Sequence, residues 1–126
     1  MMRTVINTSG APAPIGPYSQ AILCGQQLFI SGQVGLKPGS SELGDVDIAG
    51  ETHQVMDNLK AILTEAQMTF NNVIKTTIFL TDMEFFGQVN EVYGKYFDQA
   101  FPARETIAVK GLPKNAKVEI SMIAAL

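Results

Sequence analysis

A chain of 126 residues, 46% hydrophobic and 17% charged, has the size and composition of one domain that buries an apolar core, and it is read as a single unit over residues 1–126. Nine Lys and Arg against twelve Asp and Glu give a net charge of -3, so no positive field gathers phosphate backbones and nucleic acid is not an expected partner. Cys24 and His53 are the only residues of their types, which leaves no disulfide, no Cys or paired-His metal site and no expected metal.

Residues 1–7 hold no apolar leader stretch, and the longest apolar run, 120–126, is too short to cross a hydrocarbon core of about 30 Å, so a cytoplasmic protein with no membrane contact is expected. Residues 4–7 predict a short first strand. Residues 9–17 collect three Pro, two Gly and two Ala and must be loop. Strands are predicted over 19–24 and 27–33, where β-branched and aromatic residues flank a Gly25-Gln26 turn. Residues 37–44, rich in Gly, Ser and Pro, predict a mobile loop that leads to Asp47 as a helix N-cap.

Val55, Leu59, Ile62, Leu63 and Ala66 then recur at helical spacing and leave Lys60 and Glu65 in water. Residues 73–80 alternate as a strand does, with Ile74, Thr76, Ile78 and Leu80 on one face and Lys75, Thr77 and Phe79 on the other. Thr81-Asp82 caps a second predicted helix over 83–98, marked by Phe86, Val89, Tyr93, Tyr96 and Phe97. Two closing strands follow over 104–110 and 118–125, joined around 111–115.

This order predicts an α+β fold, a mostly antiparallel sheet with two helices packed on one face. The other face mixes Ile107, Val109 and Ile123 with Thr77, Ser121 and Glu119. That is more apolar than a solvated sheet face, so a symmetric partner is expected to cover it.

Arg104 enters its strand behind Pro102, and period two puts Arg104, Thr106 and Ala108 on one side, with Glu105 on the opposite side in a structural role. A guanidinium there suits bidentate capture of a carboxylate; the alternative is a structural ion pair with Glu105, Glu119 or a neighbour. Glu119 stands between Val118 and Ile120 in an apolar strand, where a lone carboxylate needs a cation or water. If the closing strands form a hairpin of suitable register, Arg104 and Glu119 are neighbours. Tyr18 either plugs the core or lines a pocket; Ser31, beside Gly32, is either satisfied by backbone or faces a ligand; Asn90 borders the apolar stripe of the second helix and needs polar partners.

The stretches Ala13-Pro14-Ile15-Gly16-Pro17-Tyr18-Ser19-Gln20, Ile30-Ser31-Gly32-Gln33, Asp57-Asn58-Leu59, Val73-Ile74-Lys75-Thr76-Thr77, Phe101-Pro102-Ala103-Arg104, Gly111-Leu112-Pro113-Lys114 and Val118-Glu119-Ile120 together resemble the RidA/YjgF family over nearly the whole chain. The resemblance implies a homotrimer of the chorismate-mutase-like fold with sites between subunits. It implies hydrolysis of 2-imino or enamine acids (2-iminobutanoate, 2-iminopropanoate) to 2-keto acids and ammonia, with no cofactor.

Carried over by position, Arg104 would bind the substrate carboxylate and Glu119 would hold or activate water, while Tyr18, Ser31, Asn90 and Thr106 would line the pocket. Many members carry Cys where this chain has Thr106, which removes thiol reactivity there. Two other readings attach to the same resemblance, an endoribonuclease or translation inhibitor and a non-catalytic small-ligand sensor or chaperone. Cys24 reads as a small buried strand residue, His53 as solvated, and the Asn7-Thr8-Ser9 sequon as chance.

Overall fold

Which strand takes the centre of the sheet follows from how much apolar surface each must hide. In the computed structural model, which describes residues 2–98 and 100–126, six strands form one sheet: β1 (Arg3–Ile6), β2 (Ala21–Cys24), β3 (Gln27–Gln33), β4 (Val73–Leu80), β5 (Ala103–Ala108) and β6 (Val118–Ala125). Their order is β1-β2-β3-β6-β4-β5. The last strand sits in the middle because Val118, Ile120, Met122 and Ala124 are all buried along one side. β5 offers only Arg104, Thr106 and Ala108 on its corresponding side and stays at the edge.

The hairpin expected of the two closing strands therefore does not form. β4 lies between them, antiparallel to β6 and parallel to β5, with Thr76 opposite both Met122 and Arg104. The connection from β4 to β5 carries a helix, as a parallel pair requires. All other pairings are antiparallel, so the expected fold class holds.

The two helices, α1 (Ile48–Glu65) and α2 (Phe86–Gly94), cover one face. Asp47 caps α1 by accepting a hydrogen bond from Gly50 N at 2.8 Å. Val55, Met56, Leu59, Ile62 and Leu63 are fully buried against the sheet, with Lys60 and Glu65 exposed. At its end Gln67 takes φ 61°, and Met68 N reaches back to Leu63 O at 2.8 Å while Gln67 N reaches Thr64 O at 2.9 Å, the bond pattern that closes a helix at a left-handed residue.

The second helix is shorter than expected. Asp82 caps a 3-10 turn, Met83–Phe85, and α2 stops at Gly94, so Tyr96 and Phe97 lie beyond it. Tyr96 packs edge-on to Phe70, and its hydroxyl meets His53 Nδ1 at 2.9 Å and donates to Asp57 Oδ1 at 3.2 Å. His53 is exposed as expected, yet held in this contact. Cys24 is half-buried on β2.

Two irregularities re-aim side chains. Between Val73 and Lys75 the β4–β6 register slips by one residue, so Ile74 is extra, and it turns outward at 49% exposure while Val73 takes the inward place assigned to it by alternation. A second bulge sets Ser31 and Gly32 of β3 against Ser121 alone, between the pairs Ile30–Met122 and Gln33–Ile120. The face away from the helices carries exposed Phe29 and Ile107 around half-buried Phe79 and Ile123. Among the described residues no helix is long and apolar enough to cross a membrane.

Buried polar groups on α1 tie the loops to this frame. Asn58, fully buried, donates to Val34 O at 3.1 Å and Leu36 O at 2.8 Å and accepts from Gln54 Nε2 at 3.0 Å. The carboxylate of Glu51 accepts from Lys117 N at 2.7 Å and Val118 N at 3.2 Å. Asn58→Leu keeps the volume but strands two buried carbonyls, so it should cost about 2–3 kcal/mol of stability. Urea unfolding will read this as a lowered midpoint at unchanged slope, against a shift of no more than about 0.5 kcal/mol for the exposed control Lys60→Ala.

Candidate active site

The loop before β2 would wander without an internal anchor, and Gln20 supplies one. Its side chain is 1% exposed; Oε1 accepts from Thr8 N at 2.7 Å, and Nε2 donates to Thr8 O at 3.1 Å and Pro12 O at 2.9 Å. A buried amide so fully satisfied holds the loop as one wall of a cavity of about 270 Å³ against β3 and β6. Tyr18 stands on that wall, 48% exposed as a residue, its hydroxyl accepting from Ile15 N at 3.3 Å, and so lines the cavity instead of filling the core.

Ser31 also lines it. Its hydroxyl donates to Ser19 O at 2.6 Å, the backbone-satisfied arrangement, which leaves the oxygen's lone pairs as acceptors. Glu119 closes the group. Its carboxylate has no ion pair or hydrogen bond among the described residues, and burial pushes its pKa above the ordinary glutamate value.

A second cavity, of about 270 Å³, opens beside β5 and is lined by Asn90, Tyr93, Phe101 and Arg104. The Arg104 guanidinium lies 5.2 Å from the Tyr93 ring centre and 5.6 Å from that of Phe86. Such stacking orients the group without consuming its N–H fork. Tyr93 is itself pinned, donating to Thr76 Oγ1 at 3.0 Å; burial raises its pKa, with the Thr76 bond and the Arg104 charge pulling the other way.

Neither ion pair considered for Arg104 exists. Glu105 is on the opposite face, paired with Lys75 at 3.1 Å and accepting from Thr77 Oγ1 at 2.6 Å, contacts that lower its pKa. Arg104 has no carboxylate within ion-pair distance among the described residues. Two positions along the strand, the Thr106 hydroxyl is buried with no hydrogen-bond partner, an unmet polar group on the same strand face.

The sites expected from sequence thus fall into two groups. Tyr18, Ser31 and Glu119 meet in the first cavity; Asn90 and Arg104 meet in the second, with Thr106 next along the strand. Arg104 pairs with Thr76, whose side chain is buried under the helices, whereas Glu119 pairs with Phe79 on the other face. Their expected proximity within one chain is wrong, because β4 separates their strands and alternation sends them to opposite sides.

Gln20, Gly32, Phe86 and Tyr93 were not among the residues expected here. The three-residue spacing of Asn90 and Tyr93 signals a shared helix side, but an aromatic ring in an apolar stripe reads first as core. Gln20 shows no comparable signal, since its role lies in contacts to residues eight and twelve positions away. Among the described residues no group of three His, Cys, Asp or Glu could hold a metal ion.

The family model described as endoribonuclease L-PSP matches residues 8–126. The chain is 49% identical over 123 residues to a RutC family protein of Pyrococcus horikoshii, covering 98% of each. It is 48% identical over 124 residues to the 2-iminobutanoate/2-iminopropanoate deaminase of Mus musculus, covering 98% of this chain and 92% of that protein. The crystal structure of RidA from the Antarctic bacterium Psychrobacter sp. PAMC 21119 superposes with a TM-score of 0.94 at 38% identity, covering 98% of this chain and 99% of that one. With a model match across most of its length and near-complete relatives at almost half identity, the chain belongs to the RidA/YjgF family.

Proposed function

We propose that this protein hydrolyses 2-imino acids, such as 2-iminobutanoate and 2-iminopropanoate, to 2-keto acids and ammonia, and that it does so at a site built from two copies of the chain. The observation that carries this reading is Arg104, a guanidinium stacked on two rings with no carboxylate partner among the described residues. The naming of the mouse relative as a deaminase of this kind supports it.

One chain cannot bring Arg104 and Glu119 to the same small molecule, because they occupy opposite sheet faces. A closed ring of identical subunits, which we take as a homotrimer, joins the Arg104 half of one copy to the Glu119 half of the next. Burial of the face bearing Phe29 and Ile107 favours such an assembly.

In this site Arg104 grips the substrate carboxylate through its fork, and Asn90 and the Thr106 hydroxyl supply hydrogen bonds beside it. Tyr18 and Ser31 wall the imine end. Glu119 accepts a proton from a water held near the C=N carbon, and the water oxygen bonds to that carbon as the imine nitrogen takes up a proton. The carbinolamine then expels ammonia and leaves the keto acid. Orientation is the main contribution, since a bound water and an activated imine need little further help.

No thiol or cofactor enters these steps, so Thr106 in place of the cysteine common in the family is compatible with them. A lone cysteine and the absence of disulfides favour a cytoplasmic place of action. The net charge of -3 disfavours RNA as substrate.

Ammonia release from 2-iminobutanoate, generated in place by an amino-acid oxidase, should accelerate with this protein. Arg104→Ala should lower kcat/KM about 10²-fold or more, and Arg104→Lys, which keeps charge without the fork, should recover only part of that. Equal rates with and without protein, or RNA cleavage that survives Arg104→Ala, would refute the assignment.

The pH dependence follows from Glu119. Because burial raises its folded-state pKa above the ordinary glutamate value, the acid limb of kcat is displaced upward from that value and is absent from the residual rate of Glu119→Gln. The stability consequence has the opposite sense: what the protonated carboxyl contributes is present below the unfolded pKa and lost as pH rises through the folded one. Glu119→Gln should therefore melt higher than the parent near pH 7, with the gap closing toward pH 4; a variant that melts lower at neutral pH would contradict this.

Arg104→Ala and Glu119→Gln chains, each strongly impaired alone, should regain about a quarter of parental activity when unfolded together and refolded as mixed oligomers. Failure to regain activity in verified mixed oligomers counts against the shared site.

A further inference from the structure

We propose that Gly32 is a positioning residue, whose missing side chain is the slot that holds the Glu119 carboxylate in the cavity. A Cβ placed on Gly32 would lie 2.3 Å from Glu119 Oε2, 2.7 Å from Cδ and 3.0 Å from Cγ, and these are the three nearest atoms it would meet. No backbone group crowds it as closely. The conformation does not ask for glycine either, since positive φ among the described glycines is confined to Gly25 and Gly39.

The closest crowding that glycine relieves at this position therefore comes from the Glu119 side chain. Gly35 is a useful contrast: its Cβ would strike the Cγ of Glu51 and the backbone oxygen of the same residue at 2.9 Å, so there the small residue lets β3's continuation lie against α1. At Gly32 the three nearest atoms all belong to one side chain, that of Glu119.

The bulge completes the device. Ser31 and Gly32 together face Ser121, and the extra residue brings the Gly32 Cα under the side chain of Glu119, two positions along β6. Filling the slot costs the frame little, because a carboxylate at the end of a flexible side chain can swing aside. It costs the site its base, because the carboxylate then leaves the cavity shared with Tyr18 and Ser31.

In Gly32→Ala, kcat for imine hydrolysis should fall about tenfold or more while KM and the Kd for 2-ketobutyrate, both governed by Arg104, move less than about threefold. In the double variant Gly32→Ala/Glu119→Gln the loss should equal that of Glu119→Gln alone within about twofold. Parental kcat in Gly32→Ala, or losses that multiply in the double variant, would overturn the proposal.

A second cycle does not depend on activity. Gly32→Ala should lower the melting temperature of the parent slightly but leave that of Glu119→Ala unchanged, since the three nearest atoms are then gone. Equal lowering in both backgrounds would assign Gly32 to packing of the frame and overturn its role. The catalytic arm rests on the deaminase reading; if the parent protein hydrolyses no imine, that reading fails while the melting cycle still decides whether Gly32 seats Glu119.

Discussion

Everything about the candidate site depends on β4 lying between β5 and β6. With Thr76 opposite Arg104 on one side and Met122 on the other, the edge strand points its arginine toward α2, and β6 turns Glu119 to the far face. The pleat makes this obligatory, because a shift of one residue would bury Glu119 and expose Ile120 and Met122. A single chain thus keeps Arg104 and Glu119 in separate cavities, and the proposed chemistry requires a contact between copies.

Each half is prepared in a different way. On the Arg104 side, rings do the holding: Tyr93, fixed by its bond to buried Thr76, and Phe86 flank the guanidinium and leave its donors unspent. On the Glu119 side, backbone is held by buried amides, with Gln20 fastening the loop that bears Tyr18 and Asn58 fastening the turn after β3. Both devices hold rigid groups around their own cavity.

The two charged groups also differ in what they cost. Arg104 lies against ring faces that attract a cation, so partial burial is compensated. Glu119 has no such compensation; its raised pKa records a carboxylate kept from water with no partner of its own. A half-buried carboxylate without a cation, given space by the missing side chain of Gly32, fits the role proposed for Glu119, a familiar tension between stability and function.

Local periodicity was enough to locate all six strands and both helices, the cap at Asp47, the α+β class and the face assignments of Arg104 and Glu105, because alternation and helical spacing are properties of neighbouring residues. It misplaced Ile74, since a bulge is set by the partner strand, and it overextended the second helix past Gly94. The motif resemblance named Tyr18, Ser31, Asn90, Arg104, Thr106 and Glu119 as residues of interest. Strand order lay beyond reach, because whether residues 118–125 pair with β5 or slide between β3 and β4 depends on how much apolar surface the assembled sheet must cover. That single tertiary choice turned an expected Arg–Glu neighbourhood into two separate cavities, and only it revealed Gly32 beneath Glu119 and Gln20 behind Tyr18, contacts between residues that chain spacing does not bring together.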